Sequence, residues 1–241
     1  MLGGTGMTDE ERDNFSALSG ALRDLETYAD SFSHAVDLFE SVSATIQELP
    51  ANGPPTADHI REHVMRISNW KFIAARDGAM MLYHFGKVRK EVPSLIRRSK
   101  PLTARIDLER LGRAGRMFEE GFKDWALVRK QVAHLGDFGK TAERRAEHYV
   151  TGEVNTGTIH SAEGNSVYIA GSLHGCTYSA TVEGRVVQYN CSRATVAKLA
   201  AVLEEHFELI KIAAEPLQRE AMDKFFAERT AAQKPRDDAR H

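Results

Sequence analysis

The sequence predicts a mainly α protein: an antiparallel bundle of long helices carrying a small antiparallel β-sheet and a packed C-terminal helix. Three observations carry that expectation. Apolar residues recur in steps of four and three over long stretches, Pro-rich links separate those stretches, and after about residue 150 the spacing changes to a two-residue alternation. The expected organisation is a disordered tail over 1–7, a helical bundle over 8–150 and a small sheet over 151–191. C-terminal helices over 192–230 pack on bundle or sheet, and a disordered tail follows over 231–241.

The first helix opens at Thr8-Asp9-Glu10-Glu11, a capping box in which a hydroxyl precedes a glutamate by three residues. Behind it Leu18, Leu22, Leu25, Ala29, Phe32, Val36, Phe39 and Ile46 form one stripe, interrupted by Ser43. Pro50, Gly53, Pro54 and Pro55 end that helix. Thr56 caps a second, whose stripe runs Ile60, Val64, Ile67, Ala74, Met81, Phe85 and Val88 up to Pro93. Gly78 inside it marks either a close approach by another backbone or a local weakening. A third helix carries Leu108, Leu111, Phe118, Phe122, Trp125 and Val132 and stops near Gly136, where Gly-Asp-Phe-Gly fits a left-handed terminator. Such stripes bury themselves on one another as an antiparallel bundle.

The β region reads as one strand over 154–160, a second alternating stretch over 167–173, and a hairpin over 176–191. Placing Glu183-Gly184 in a two-residue turn pairs Val182 with Arg185, Ala180 with Val187, Tyr178 with Tyr189 and Cys176 with Cys191. That register leaves one face mostly apolar and the other mostly polar. Ser192 then caps a helix with Val196, Leu199, Leu203, Phe207 and Ile210 inward, which Pro216 breaks or restarts before Leu217, Phe225 and Phe226.

Composition narrows the function. A chain of 241 residues with 42% hydrophobic and 27% charged residues builds one large domain, or a domain with an appendage. The formal charge of −2 gives no overall footprint for nucleic acid or membrane. Two cysteines exclude a disulfide scaffold and a four-cysteine zinc site. No apolar run approaches the ~18 residues of a membrane span. The opening MLGGTGMTDEERD lacks the basic and apolar regions of a signal peptide, so the expected location is the cytoplasm.

The segment with most chemical promise is Arg129-Lys130-Gln131-Val132-Ala133-His134, at the close of the third helix. Arg129 lies four residues after Trp125 on the border of the apolar stripe, where a guanidinium needs an anion or solvent. This stretch resembles the HEPN superfamily (higher eukaryotes and prokaryotes nucleotide-binding), all-α bundles marked by an Arg and, four to six residues on, a His. The likeness covers roughly residues 8–150 and rests on Arg129 and His134; the residue after the Arg is usually Asn, Asp or His in that family and here is Lys130. It implies a homodimer whose paired Arg/His sets face one cleft and cut RNA without metal or other cofactor. The imidazole would handle the proton and the guanidinium would stabilise the phosphorane. RNA or a nucleotide is the implied ligand, Lys130 and Asp77 supporting residues, and Arg97, Arg98 and Lys100 backbone contacts or a solvated linker.

Helical geometry puts Arg129 and His134 roughly 140° apart, so they share a cleft only if the helix frays at His134 or a second copy contributes. The rival reading is a catalytically inactive helical dimerisation or interaction protein with both residues structural: Arg129 paired with a carboxylate, His134 at a helix C-terminus. Two further groups stand out. His59-Ile-Arg-Glu62-His63 matches a zinc-ligand spacing or is a solvated helix start. In Arg76-Asp77-Gly78, Asp77 is a candidate partner for Arg129 or a member of a buried ion pair. Cys176 and Cys191 face each other in the hairpin and stay thiols in a reducing compartment.

Overall fold

A computed structural model describes residues 8–48, 57–138 and 140–233. The tail 1–7, the loop with Pro50, Gly53, Pro54, Pro55 and Thr56, Gly139, residues 234–241, and the side chains of Ile46, His59, Ile60 and Phe225 lie outside the described residues. The architecture is mainly α with a β appendage, as the stripes and the hairpin require.

Helix α1 (Asp9–Glu48) begins with the capping box: the Thr8 hydroxyl accepts the Glu11 N–H at 3.2 Å, and the Glu11 carboxylate accepts the Thr8 N–H at 2.9 Å. Its stripe buries Leu18, Leu25, Phe32, Val36 and Phe39. Helix α2 (Ala57–Arg98) returns antiparallel: Lys71 lies over the Phe39 ring, Phe32 meets Gly78, and Tyr28 stacks on His84. At ~1.5 Å per residue each arm of this hairpin is about 60 Å long. Gly78 is a close approach, made by side chains: a Cβ there would stand 3.2 Å from the Tyr189 hydroxyl and 3.3 Å from Phe32. Pro93 does not end α2, contrary to expectation. Val92 and Ile96 are fully buried on either side of it, and that packing outweighs one lost backbone bond.

The expected third helix is two. After the one-turn α3 (Lys100–Thr103), α4 (Leu108–Gly121) starts on Asp107, whose side chain accepts the Arg110 N–H at 2.8 Å. Phe122 leaves helical geometry, and α5 (Trp125–Phe138) follows. The break lets Phe122 and Trp125 both pack on Phe118, with ring centroids 4.9 and 5.8 Å away. Phe122, four residues on, reaches Phe118 from an unbroken helix as well; it is Trp125, seven residues on, that the break folds back onto that ring. Helix α5 also runs through Gly136 to Phe138, with the irregular residue at His134 instead. A short α6 (Ala142–Ala146) leads into the β region.

There the two long strands expected over 154–160 and 167–173 are each divided. β1 (Val150–Thr151) pairs with β4 (Ser166–Val167), and β2 (Val154–Asn155) with β3 (His160–Ser161). The chain reverses between β2 and β3 because Asn155 Oδ1 accepts the Gly157 N–H at 2.9 Å and Gly157 takes φ 79°. β5 (Ser172–His174), β6 (Thr177–Val182) and β7 (Arg185–Asn190) form an antiparallel sheet, β6–β7 in the register read from the sequence. The Cys191 N–H donates to the Cys176 carbonyl at 2.9 Å, and both cysteines are free. Tyr178, Ala180, Val182, Val187 and Tyr189 join the helical core, so sheet and bundle share one interior. The polar face of β6 is buried as well: Ser179 and Thr181 are 0% exposed, Ser179 accepting from Gln188 and Thr181 bonded to the Ile169 backbone.

Helix α7 (Arg193–Gln233) runs straight through Pro216 and three residues into the expected tail. Its inward face is rotated from the one expected, centring on Leu199, Val202, His206, Leu209 and Ala213, with Val196, Leu203 and Phe207 only half-buried. Arg193 clasps Asp37 and Glu40 of α1, and Arg110 of α4 holds Glu205 through two nitrogens. No helix among the described residues is long and apolar enough to cross a membrane.

Two outcomes test this packing. Gly86 on α2 has no room for a Cβ, which would meet Trp125 at 2.9 Å and Phe118 at 3.0 Å. Gly86→Ala should therefore cost about 1–3 kcal/mol in urea denaturation, whereas Gly20→Ala, with nothing within 4 Å, should be neutral or stabilising. His206 is buried with its Nδ1–H donating to the Val202 carbonyl at 2.8 Å. Burial, with Arg89 nearby, lowers its proton affinity from the ordinary value of 6.5 despite the Val202 bond and Glu205. The unfolded chain then takes up this proton first, so stability falls as pH drops below about 6.5. His206→Gln should shrink the difference in melting temperature between pH 7.5 and pH 5; an unchanged difference would remove His206 from the acid response.

Candidate functional site

Helix α5 is gripped from two sides. On one, Trp125 and Arg129, a turn apart, both lie on Tyr83 of α2: the rings are 5.5 Å apart and the guanidinium is 4.8 Å from the Tyr83 centroid. Arg129 Nε is buried without a hydrogen-bond partner, and no carboxylate of the described residues is within ion-pair distance. On the other side Gln131, 1% exposed, accepts the Tyr178 hydroxyl at 2.6 Å and donates to the Ala170 carbonyl. Burial pushes the Tyr178 phenol above its usual proton affinity, opposed by Arg76 and by the Gln131 bond. These contacts fix the rotation of α5 and therefore where the motif residues point.

His134 lies in different surroundings from Arg129. It has φ −114° and ψ 15°, interrupting the helix, and its side chain is 47% exposed. Its Nδ1 lies 3.5 Å from Asp137 Oδ2, and Asp137 also binds Lys140 at 2.6 Å. The Lys140 ammonium first, and His134 second, hold the Asp137 carboxyl below the usual carboxylate range. His134 opens on a cleft of about 440 Å³ that Lys130, Asp137, Arg144, Glu147 and His148 complete; Arg129 is not among its walls.

The tip of the β6–β7 hairpin holds two of these lining residues, Lys130 and His148. Glu183 and Gly184 take φ 51° and 75°, the two positive values a type I′ turn demands. Glutamate is a poor choice at such a position, where Asn, Asp or Gly is favoured. Its two polar groups both face the cleft wall: the Glu183 N–H donates to His148 Nδ1 at 3.1 Å, and its carboxylate pairs with the Lys130 ammonium. That ammonium is the main cause holding the Glu183 carboxyl below its ordinary range.

The structure thus brings together Lys130 and His134 of the residues read from the sequence, and separates the rest. Asp77 is exposed, has no ion pair among the described residues, and does not partner Arg129. Arg97, Arg98 and Lys100 are exposed at the far end of α2, where Arg97 stands roughly 30 Å along the helix from Arg76, the residue beside Tyr178. Glu62 pairs with Arg66 at 3.1 Å and His63 is exposed; no group of three metal-binding side chains exists among the described residues. Sequence reasoning missed Asp137, Arg144, His148 and Glu183. The available signals were a polar Gln131 three residues after Val128 on the apolar stripe, and a turn glutamate where a smaller residue fits better. No protein-family model, curated protein or solved structure matches this chain.

Glu183 separates backbone strain from side-chain role. Glu183→Asn should melt at or above the wild-type temperature, because asparagine tolerates positive φ and an ion pair this exposed adds little. Glu183→Val should melt about 2–6 °C lower, a β-branched residue being ill suited to that conformation. Equal melting temperatures for the two variants would mean that the turn is not held at positive φ.

Proposed function

We propose that this is a HEPN-like protein that acts on RNA as a homodimer, with the cleft at the α5 kink as its phosphate-binding surface and His134 as its proton-handling group. The observation that carries this reading is the setting of His134. It sits at the break in a bundle helix, exposed, beside the Asp137 carboxylate, in a cleft that also holds Lys130 and Arg144. An exposed imidazole set beside a carboxylate is the arrangement a proton-handling group calls for. Lys130 and Arg144 supply cations for phosphate oxygens. Arg129 of every copy is turned onto its own Tyr83, so in this reading the charge that builds on the phosphate is met by Lys130 and Arg144 of the cleft.

A second reading has one observation in its favour. A guanidinium stacked on an aromatic ring, away from the cleft, has a structural use of its own. In that case the chain is a catalytically inactive helical dimerisation or interaction protein.

The experiment is RNA binding by fluorescence anisotropy and RNA cleavage in EDTA. The expected result is binding whose log–log salt dependence has a slope of about −1 to −1.5, as two cationic contacts on a single strand give. Lys130→Ala and Arg144→Ala should each flatten that slope, and His134→Ala should abolish cleavage while binding persists. Binding without cleavage, together with an Arg129→Ala variant that only lowers the melting temperature, selects the inactive reading. No binding at low salt removes RNA as the ligand.

A further inference from the structure

We infer that the free edge of β7 and the cleft beside it form a docking site for an extended peptide, a partner segment that alternates apolar and polar residues and joins the sheet as a further strand. The site includes Trp125, about 14 Å along α5 from His134, and goes beyond the RNA reading of the kink.

The argument begins with the phase of the hydrogen bonds. β7 is the outer strand in the order β5–β6–β7. The Cys191 N–H donates to the Cys176 carbonyl, so these two residues are a hydrogen-bonded pair. Counting back along the ladder, so are Tyr189 with Tyr178 and Val187 with Ala180. The residues between them turn the other way. On β6, Thr181 obeys this phase: its N–H donates to the Ile169 carbonyl at 3.0 Å, away from β7. On β7, Val186, Gln188 and Asn190 therefore carry their N–H and C=O groups to the outside. None of these groups has a hydrogen-bond partner among the described residues.

Proteins commonly blunt such an edge with proline, lysine, a bulge or a covering element. β7 reads Arg-Val-Val-Gln-Tyr-Asn, pairs with β6 without interruption, and leaves Gln188 and Asn190 exposed. An unblunted edge is a template for one more strand.

A cleft of about 490 Å³ opens on the same stretch. Gln188, Tyr189 and Asn190 line one part of it, and the α4–α5 break and the first turns of α7 line the rest. Leu82, Phe122 and Trp125 give it apolar surface. Glu120, Lys123, Asp124 and Lys198 also line it, and their side chains have no ion-pair or hydrogen-bond partner among the described residues. Two carboxylates and two ammoniums cancel, so this cleft exerts no net pull on a polyanion. A peptide backbone is neutral and matches the edge group for group, and its side chains can bring either sign to the four charges. That balance selects a peptide over a nucleic acid.

The faces of the sheet set the pattern of the partner. An added strand sends alternate side chains to opposite faces. One row follows Val187 and Tyr189, which belong to the helical core; the other follows the polar Gln188 and Asn190. The segment that fits is apolar at every second residue.

The test is amide-resolved NMR of the full chain, titrated with a capped heptapeptide that has valine at odd positions and threonine, glutamate and lysine at even ones. The peptide should move the Val186, Gln188 and Asn190 amide protons downfield and slow their exchange. Val187 and Tyr189, already bonded to β6, should exchange as before. The fully N-methylated peptide, which cannot donate, should do neither. Gln188→Pro removes an outward N–H and spares the β6 ladder, so it should weaken peptide binding at least about fivefold, the worth of one hydrogen bond. Gln188→Ala keeps that N–H and should bind as the wild type does. If the proline variant does not fold, the two peptides on the wild type decide. Equal responses to both peptides, or none at these amides with millimolar peptide, overturn the proposal. So does exchange that slows with protein concentration alone, which gives the edge to a second copy. Displacement of the peptide by single-stranded RNA overturns it as well, by giving the edge to nucleic acid. None of these outcomes bears on the cleft at the α5 kink.

Discussion

The inward face of α2, from Ile67 to Ile96, is the surface against which the rest of the molecule is placed. Two glycines on it set the distances. Gly78 admits Phe32 from α1 and the Tyr189 hydroxyl from β7, while Gly86 admits Phe118 from α4 and Trp125 from α5. The Tyr189 hydroxyl also donates to the Ala75 carbonyl, tying the sheet to the same helix. Four elements are thereby registered on one rod by contacts that leave little room for an added methyl at Gly78 and none at Gly86 without a shift. Burying aromatic rings of this size stabilises by roughly 2–3 kcal/mol each, so the close approaches are also the energetically dominant ones.

That constraint propagates to the cleft through α5. Trp125 fixes the start of the helix against α2, and Gln131 fixes its middle against Tyr178 and Ala170. Beyond Gln131 the regular helix fails at His134. The chain then turns through α6 to reach His148, which the hairpin tip captures. The cleft walls come from two segments, α5 and the stretch from α6 to His148, and the hairpin tip ties one to the other. Such a site is organised by the fold before binding, which favours defined hydrogen bonds over adaptive wrapping.

What the sequence revealed follows the range of the forces involved. The capping box at Thr8, the α1 stripe and the β6–β7 register depend on neighbours a few residues apart, and all three were legible. The failures are places where tertiary packing overrides a local signal. Val92 and Ile96 carry α2 past Pro93, and the Phe118–Phe122–Trp125 cluster divides a helix whose stripe looked continuous. His206 faces the core on a stripe read one position away. Of the residues singled out in the sequence, Lys130 and His134 line one cleft; the helix is irregular at His134, yet Arg129 is held on Tyr83 by packing that no local signal announces. His148 and Glu183 were invisible because their meeting depends on how α6 and the hairpin dock.

The charges in the cleft bear on what kind of anion it would suit. Lys130 is paired with Glu183, Lys140 with Asp137, and Glu147 lines the same cleft as Arg144, in a chain whose overall charge is −2. A surface so nearly neutral generates little long-range attraction for a polyanion. Non-specific binders of nucleic acid rely on many unpaired cations and accept a phosphate anywhere along a strand. Here the attraction would have to come from a few groups held in place by the fold: the Lys130 ammonium on its carboxylate tether and the Arg144 guanidinium. A few cations in fixed places discriminate by the position of an anion more than by its total charge.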